Sequence, residues 1–161
     1  IISSNCKSIT KLGNYKWRNI YGKITIASNT NNIYRWDFKF KKLNNSFVMI
    51  GITNSKKLYP NRNFLYTDPT FDIYAQYGAG YPIVSNMKSW DFQTTPKLKQ
   101  SDEISMILNL KTAKLKFLLD NNDEWNQCLT IEKEDDLPYR MFVSLLCSND
   151  CIELTKFTVT L

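Results

Sequence analysis

Between Tyr34 and Lys41 the chain alternates without a break. Tyr34, Trp36, Phe38 and Phe40 fall on one side, and Arg35, Asp37, Lys39 and Lys41 on the other. Side chains of an extended strand point to opposite faces in turn, so this segment reads as a strand that covers a core with aromatics and shows charge to water. The same period recurs in Ile104, Met106, Leu108 and Leu110, in Leu115, Phe117 and Leu119, in Met141, Val143 and Leu145, and from Ile152 and Leu154 to the closing Phe157–Leu161. Tyr21–Ile26 and Phe71–Tyr77 read as further strands. From Ser46 to Thr53 the chain is continuously apolar (Phe47, Val48, Met49, Ile50, Gly51, Ile52), the pattern of a strand buried on both faces. No helical period competes with these.

Turn signals separate the runs. Gly and Pro number only five each, so the turns fall to Asn and Asp, whose short polar side chains tolerate left-handed backbone. Lys111-Thr112-Ala113, Asp120-Asn121-Asn122-Asp123 and Cys147-Ser148-Asn149-Asp150-Cys151 are the short ones. Asn54 to Pro69 is a long polar connection, of the kind that in a compact domain is functional or disordered. Roughly ten strands joined in this way predict two packed antiparallel sheets, an all-β sandwich. At 161 residues the chain suits one domain, with neither an internal repeat nor a linker.

The residues that carry most enzyme chemistry are missing. The sequence holds no histidine, which removes the commonest general base, the Ser-His and Cys-His nucleophile systems and the commonest zinc ligand. Cys6, Cys128, Cys147 and Cys151 make a weak zinc set and too sparse a disulfide framework; they read as buried or half-buried thiols of a reducing compartment. Whether Cys147 and Cys151 pair across their turn is a matter of geometry. The acids of Glu132-Lys133-Glu134-Asp135-Asp136 lack the apolar alternation of a glycosidase strand and read as a solvated loop. Asp120–Glu124 faintly resembles a calcium loop, but Trp125 stands where an EF-hand needs Gly. Gly78 and Gly80 follow a strand with no helix after them, so no phosphate cradle forms. The expectation is a non-enzyme without cofactor or metal.

Charge is uneven. Residues 1–62 hold 12 Lys and Arg against the single acid Asp37, a net +11, whereas the remainder is −5. Such asymmetry marks either solvated strand faces or a surface for acidic peptides or nucleic acid; the acidic C-terminal half argues against nucleic acid. No run of about 18 apolar residues exists, so no membrane-spanning helix is expected. The chain begins Ile1-Ile2-Ser3-Ser4-Asn5 and reads as part of a larger polypeptide or assembly, intracellular and cytoplasmic. The sequon Asn44-Asn45-Ser46 would matter only in a secreted protein.

The order of these segments resembles the SPRY domain, a bent antiparallel β-sandwich of the concanavalin A-like kind. Tyr34-Arg35-Trp36-Asp37-Phe38 is similar to that family's aromatic-Trp-acid strand, and Phe47–Ile52 to the next strand with its glycine. Tyr77-Gly78-Ala79-Gly80-Tyr81 resembles the aromatic-Gly segment. Asp102–Phe117 resembles the hairpin that opens on Gly-Asp and turns at Asp-Leu. Tyr139–Leu145 and Ile152–Phe157 resemble the closing pair. Ser101 stands where the family usually has Gly, Asn109 where it usually has Asp, and Asp120-Asn121-Asn122 in place of an Asn-Gly turn. The match covers about residues 32–159, with 1–30 as an N-terminal extension packing on the domain and no clear PRY segment.

The resemblance implies a module that binds a peptide segment or a protein surface through loops at one end of the sandwich. Lys56, Lys57, Tyr59 and Arg62 after Gly51, and Cys147, Ser148, Asn149 and Asp150 in the hairpin, occupy such loop positions; the Asn-rich stretch between Tyr21 and Tyr34 is a third. Tyr supplies rigid amphipathic area, Asn adaptable hydrogen bonds and Arg bidentate carboxylate contacts, so a protein or peptide partner, acidic in character, is expected. Trp90 and Phe92 read as core rather than as an exposed anchor, and Trp17, Trp36 and Trp125 as packing. The alternatives are a lectin-like carbohydrate-binding domain and, behind it, a nucleic-acid-binding domain that uses Lys39, Lys41 and Lys42.

Overall fold

The computed structural model describes residues 7–14, 16, 18–44, 48–54, 73–77, 81–83, 98–120, 122–131 and 138–161, the side chains of 73–77, 81–83 and 122–127 excepted. Eleven strands and no helix occur among them. Six form one sheet in the order β1-β11-β3-β7-β8-β9. These are Ser8–Thr10, Cys151–Thr160, Ile33–Lys42, Glu103–Asn109, Lys114–Leu119 and Asn122–Thr130. Five form the other, in the order β2-β10-β4-β5-β6. These are Arg18–Tyr21, Arg140–Leu145, Val48–Thr53, Ile73–Tyr77 and Tyr81–Ile83. Every pairing is antiparallel.

Alternation along β3 does what its pattern requires. Tyr34, Trp36, Phe38 and Phe40 are buried, Arg35, Asp37 and Lys39 half-buried, and Lys41 exposed. Cross-strand partners share a face, so Phe38 lies beside Leu154 and Ile104, and Trp36 beside Phe157 and Met106. Facing them, Val48, Ile50, Ile52, Val143 and Leu145 of the second sheet close the core. Full burial of a side chain of this size is worth about 1.5–3 kcal/mol, which makes this layer the main stabiliser of the sandwich. β4 is central in its sheet and buried at every position, as its unbroken apolar run predicts. Its second face, with Met49, Phe142 and Ser144, is buried too, and there the Ser144 hydroxyl is hydrogen-bonded to Asn19 Oδ1.

One expected strand is displaced. Tyr21–Ile26 is not a strand; β2 ends at Tyr21, and beyond it only Ile26 forms a bridge, with Tyr139. Gly22 N–H still donates to the Met141 carbonyl at 2.8 Å. Lys23, Ile24 and Thr25 then turn out to solvent, so the Ile24/Ile26 alternation marks a strap along the sheet edge rather than a paired strand.

Register also settles which loops are neighbours. In the second sheet Leu145 of β10 pairs with Val48 and Arg18, while Arg140 pairs with Thr53 and Phe142 with Tyr21. Cys151 pairs with Lys42 and Thr160 with Ile33 in the first sheet. The β10–β11 turn, both anchors of the β3–β4 connection and residues 11–14 therefore gather at one end. The Tyr21–Tyr34 segment and both anchors of the long connection, Thr53 and its partner Ile73, lie at the other.

Candidate functional site

At the turn end three chain segments are tied together, two through one carboxylate and the third through backbone hydrogen bonds. Asp150 is fully buried, and its Oδ1 accepts the Asn44 backbone N–H at 2.8 Å and the Asn44 side-chain amide at 3.2 Å. That same Nδ2 donates to the Ser148 carbonyl at 2.7 Å. Asn149 N–H donates to the Lys11 carbonyl at 2.8 Å, and Lys11 N–H to the Asp150 carbonyl at 3.0 Å. The Lys11 side chain is buried and its Nζ reaches the Asn14 carbonyl. Asn149 sits at φ +66°, a left-handed conformation that Asn adopts at low cost. Burial raises the Asp150 carboxyl above its ordinary range, with the Asn44 and Cys147 N–H groups pulling the other way. Its Oδ2 is buried without a hydrogen-bond partner.

This frame sorts the hairpin residues by role. Cys147 and Asp150 face inward and hold the turn; Ser148 is half-buried and Asn149 exposed, so these two are the ones that reach solvent. Around them stand exposed Lys16, Lys42, Lys99 and Gln100, and Leu12, at 52% exposure one of the few large apolar side chains left open. Asp120 is exposed at the same end and Asp102 half-buried. Sequence reasoning missed Leu12 and Asn44. Asn44 had shown itself only as a sequon, and the structure instead uses its amide as a strut. Cys128, Cys147 and Cys151 are not joined in disulfides, and Cys151 Sγ accepts from the Thr10 hydroxyl at 3.3 Å.

Lys56, Lys57, Tyr59 and Arg62 lie outside the described residues, as do Cys6, Trp17, Trp90, Phe92 and the acids at 132–136, and so does the side chain of Trp125. The anchors of the Lys56–Arg62 segment are at the end opposite the hairpin. A single cluster at one end is therefore not how these anchors are arranged, because β4 runs from the hairpin end to the far end and β5 starts back from there.

Part of the lopsided charge of the sequence is paired in space. On the outer face of the six-stranded sheet Lys39 Nζ meets Glu103 at 2.7 Å and Lys41 Nζ meets Glu153 at 2.8 Å. Arg35 Nε meets Asp37 at 2.7 Å, and both bond Ser105 Oγ. Hydrogen bonding to Glu103 raises the Lys39 pKa. β3 brings the basic third of the chain, and β7 and β11 bring acids from the remainder. Among the described residues no group of three or more Cys, Asp and Glu is placed to hold a metal.

No family model matches the sequence, and no curated protein matches it. Solved structures match its shape. The SPRY domain of human HERC1 superposes with a TM-score of 0.68 over 96% of this chain and 90% of that one, at 16% identity. The fold is that of a SPRY domain. A second SPRY-type structure, the TRIM65 PSpry domain, gives 0.61 over 97% of this chain and 83% of that one at 14% identity. The carbohydrate recognition domain of Emp46p in its potassium-bound form gives 0.59 over 91% and 79% at 12% identity. The SPRY fold thus shades into lectin-like sandwiches, and at these identities the likeness concerns the fold alone.

Proposed function

We propose that this SPRY-fold chain is a non-catalytic protein-interaction module, which binds a peptide segment or protein surface through the turn end of the sandwich. The observation that supports this most is the braced β10–β11 turn. Asp150 and Asn44 hold it rigid from beneath, and Asn149, Ser148 and Leu12 are presented on top beside Lys16, Lys42 and Lys99. A preformed turn loses little entropy on binding, and a basic rim favours an acidic partner and speeds its approach. Lys56, Lys57, Tyr59 and Arg62 serve as a second contact, hung from the opposite end. The setting is intracellular, within a larger polypeptide or assembly.

Affinity capture from the native source with the wild type and with a Tyr59→Ala/Arg62→Ala/Asn149→Ala variant tests the reading. Loss of a protein partner by the variant supports it; retention of every partner overturns it.

The likeness to the Emp46p domain favours one second reading, carbohydrate binding. It requires an exposed aromatic platform. Among the described side chains the exposed large hydrophobics are Leu12, Ile24, Val159 and Leu161, none of them aromatic. A glycan array bound by the wild type would revive it.

A further inference from the structure

The brace beneath the β10–β11 turn is built on a group that titrates. Asp150 is fully buried, and one of its oxygens meets neutral donors, the backbone N–H and side-chain amide of Asn44. The other oxygen has no hydrogen-bond partner among the described residues. Its own segment adds the buried Cys147 and the half-buried Cys151. The segment from Lys11 to Asn14 brings one cation inside, Lys11, yet Lys11 Nζ reaches the Asn14 carbonyl and no ion pair joins it to Asp150 among the described residues. Lys16 and Lys42 are exposed, and Glu153 is taken up by Lys41. Asp102, at the same end, is bound to the Lys99 N–H instead. A carboxylate withdrawn from water with no cation seated on it is penalised in its charged form. It escapes that penalty by taking up a proton or by returning to water.

A return to water is open to it. Ser148 and Asn149 already reach solvent, and the ties of the turn to its neighbours are hydrogen bonds that water can replace: Asn44 to Asp150 and Ser148, Asn149 to the Lys11 carbonyl, and Lys11 N–H to the Asp150 carbonyl. Breaking them leaves β10 on β4 and β11 on β3. Such a turn opens locally at a far smaller cost than the sheets that carry it.

We infer that Asp150 is a proton-operated latch: the β10–β11 turn stays docked on Asn44 and Lys11 when this carboxyl is protonated, and opens locally more often when it is ionised. Burial raises the carboxyl above its ordinary range in the docked turn, and the Asn44 and Cys147 N–H groups and the Lys11 charge offset this only in part. The docked form therefore holds the proton more tightly than the open one. Docking is favoured most below the pKa of a solvated aspartate, about 4; it weakens as the pH rises to the pKa of the docked form and levels off above it. The latch stands whether or not the turn binds a partner. If it does, acidification holds Ser148 and Asn149 in one position.

Hydrogen exchange on the full, isotopically labelled chain tests this, between about pH 4 and about pH 7, where no histidine is present to titrate. After correction for intrinsic base catalysis, the opening constants at the Asn44 and Asn149 amides are expected to rise severalfold with pH and then level off. Gly22 N–H, bonded to Met141 at the far end, is the control and stays flat. The carboxyl carbon resonance of Asp150 titrates over the same range as the rise. Asp150→Asn abolishes the rise, and Lys11→Met carries it to higher pH by removing the charge that favours the carboxylate. Opening constants at Asn44 that do not change with pH overturn the inference. So does an Asp150 resonance that titrates like a solvated aspartate, an equal rise at Gly22, or a rise that persists in Asp150→Asn. The wild-type measurements decide the matter even if a variant does not fold.

Discussion

Asp150 Oδ1 and the backbone N–H of Asn44 lie 2.8 Å apart across 106 positions of sequence, and that bond sets the geometry of the surface beside it. The β10–β11 turn and the β3–β4 connection are joined through a buried carboxylate that uses one oxygen fully and leaves the other without a partner.

Replacing this carboxylate separates its charge from its shape. Asp150→Asn keeps an acceptor for the Asn44 N–H and removes a buried charge. Because burial raises the folded pKa above the unfolded one, the folded chain binds the proton more tightly, and the charge costs stability at pH values above the folded pKa. That cost disappears as pH falls through the folded pKa toward the unfolded value. Asp150→Asn is expected to be the more stable form at neutral pH and to lose that advantage below about pH 4. Asp150→Ala orphans the Asn44 N–H and loses about 1–3 kcal/mol. Urea titrations at both pH values distinguish these outcomes.

Left-handed backbone gives a second prediction. Ser101 sits at φ +75° and Ala113 at φ +52°, conformations that cost a residue with a Cβ roughly 1–2 kcal/mol. Ser101 N–H donates to the Phe40 carbonyl at 2.8 Å, which holds it there. Ser101→Gly and Ala113→Gly are each expected to stabilise the chain by about 0.5–1 kcal/mol, after the larger unfolded-state entropy of Gly is set against the relief. Asn149→Gly gains less, because Asn tolerates this region. Denaturation midpoints rank the three.

These positions show how much of the fold the sequence carries. Strands β3, β4, β7, β8, β10 and β11 are legible because their inward side chains alternate, or run on, in large apolar residues. Ser8–Thr10 and Tyr81–Ile83 are not, since three residues hold too little pattern to read. Ser101 had looked like a plain departure from a Gly-Asp pair; its φ shows that the backbone keeps the conformation and bears the strain. The grouping of loops was not legible either. Which end of a sandwich a loop reaches depends on strand order and register, and neither leaves a local mark. Asn44 was missed for the same reason: its partner Asp150 is 106 positions away in sequence.

The core and the strap should respond very differently to shortening. Ile50→Ala in β4 is expected to lose about 2–5 kcal/mol, since Ile50 is fully buried. Ile24→Ala removes a side chain that is half in solvent and changes stability by no more than about 0.5 kcal/mol. Equal effects at the two positions would mean that Tyr21–Ile26 is a core strand after all.

On the outer face, a double-mutant cycle of Lys39→Ala with Glu103→Ala measures their pairing. Both side chains are partly exposed, so only a small coupling is expected, shrinking in high salt. Neutralising Lys39 and Lys41 together is expected to leave partner binding at the turn end within about twofold, because both are engaged with Glu103 and Glu153.

The most direct test of an interaction role is a titration of the captured partner against two variants, one for each end. Ser148→Ala/Asn149→Gly changes only side chains at the surface of the braced turn and keeps a residue that tolerates the left-handed position 149, and Tyr59→Ala/Arg62→Ala changes the opposite connection. The turn variant is predicted to keep its denaturation midpoint and to weaken the partner roughly tenfold or more, with a smaller loss from the other. Undiminished affinity in the turn variant, with its fold intact, would contradict the account.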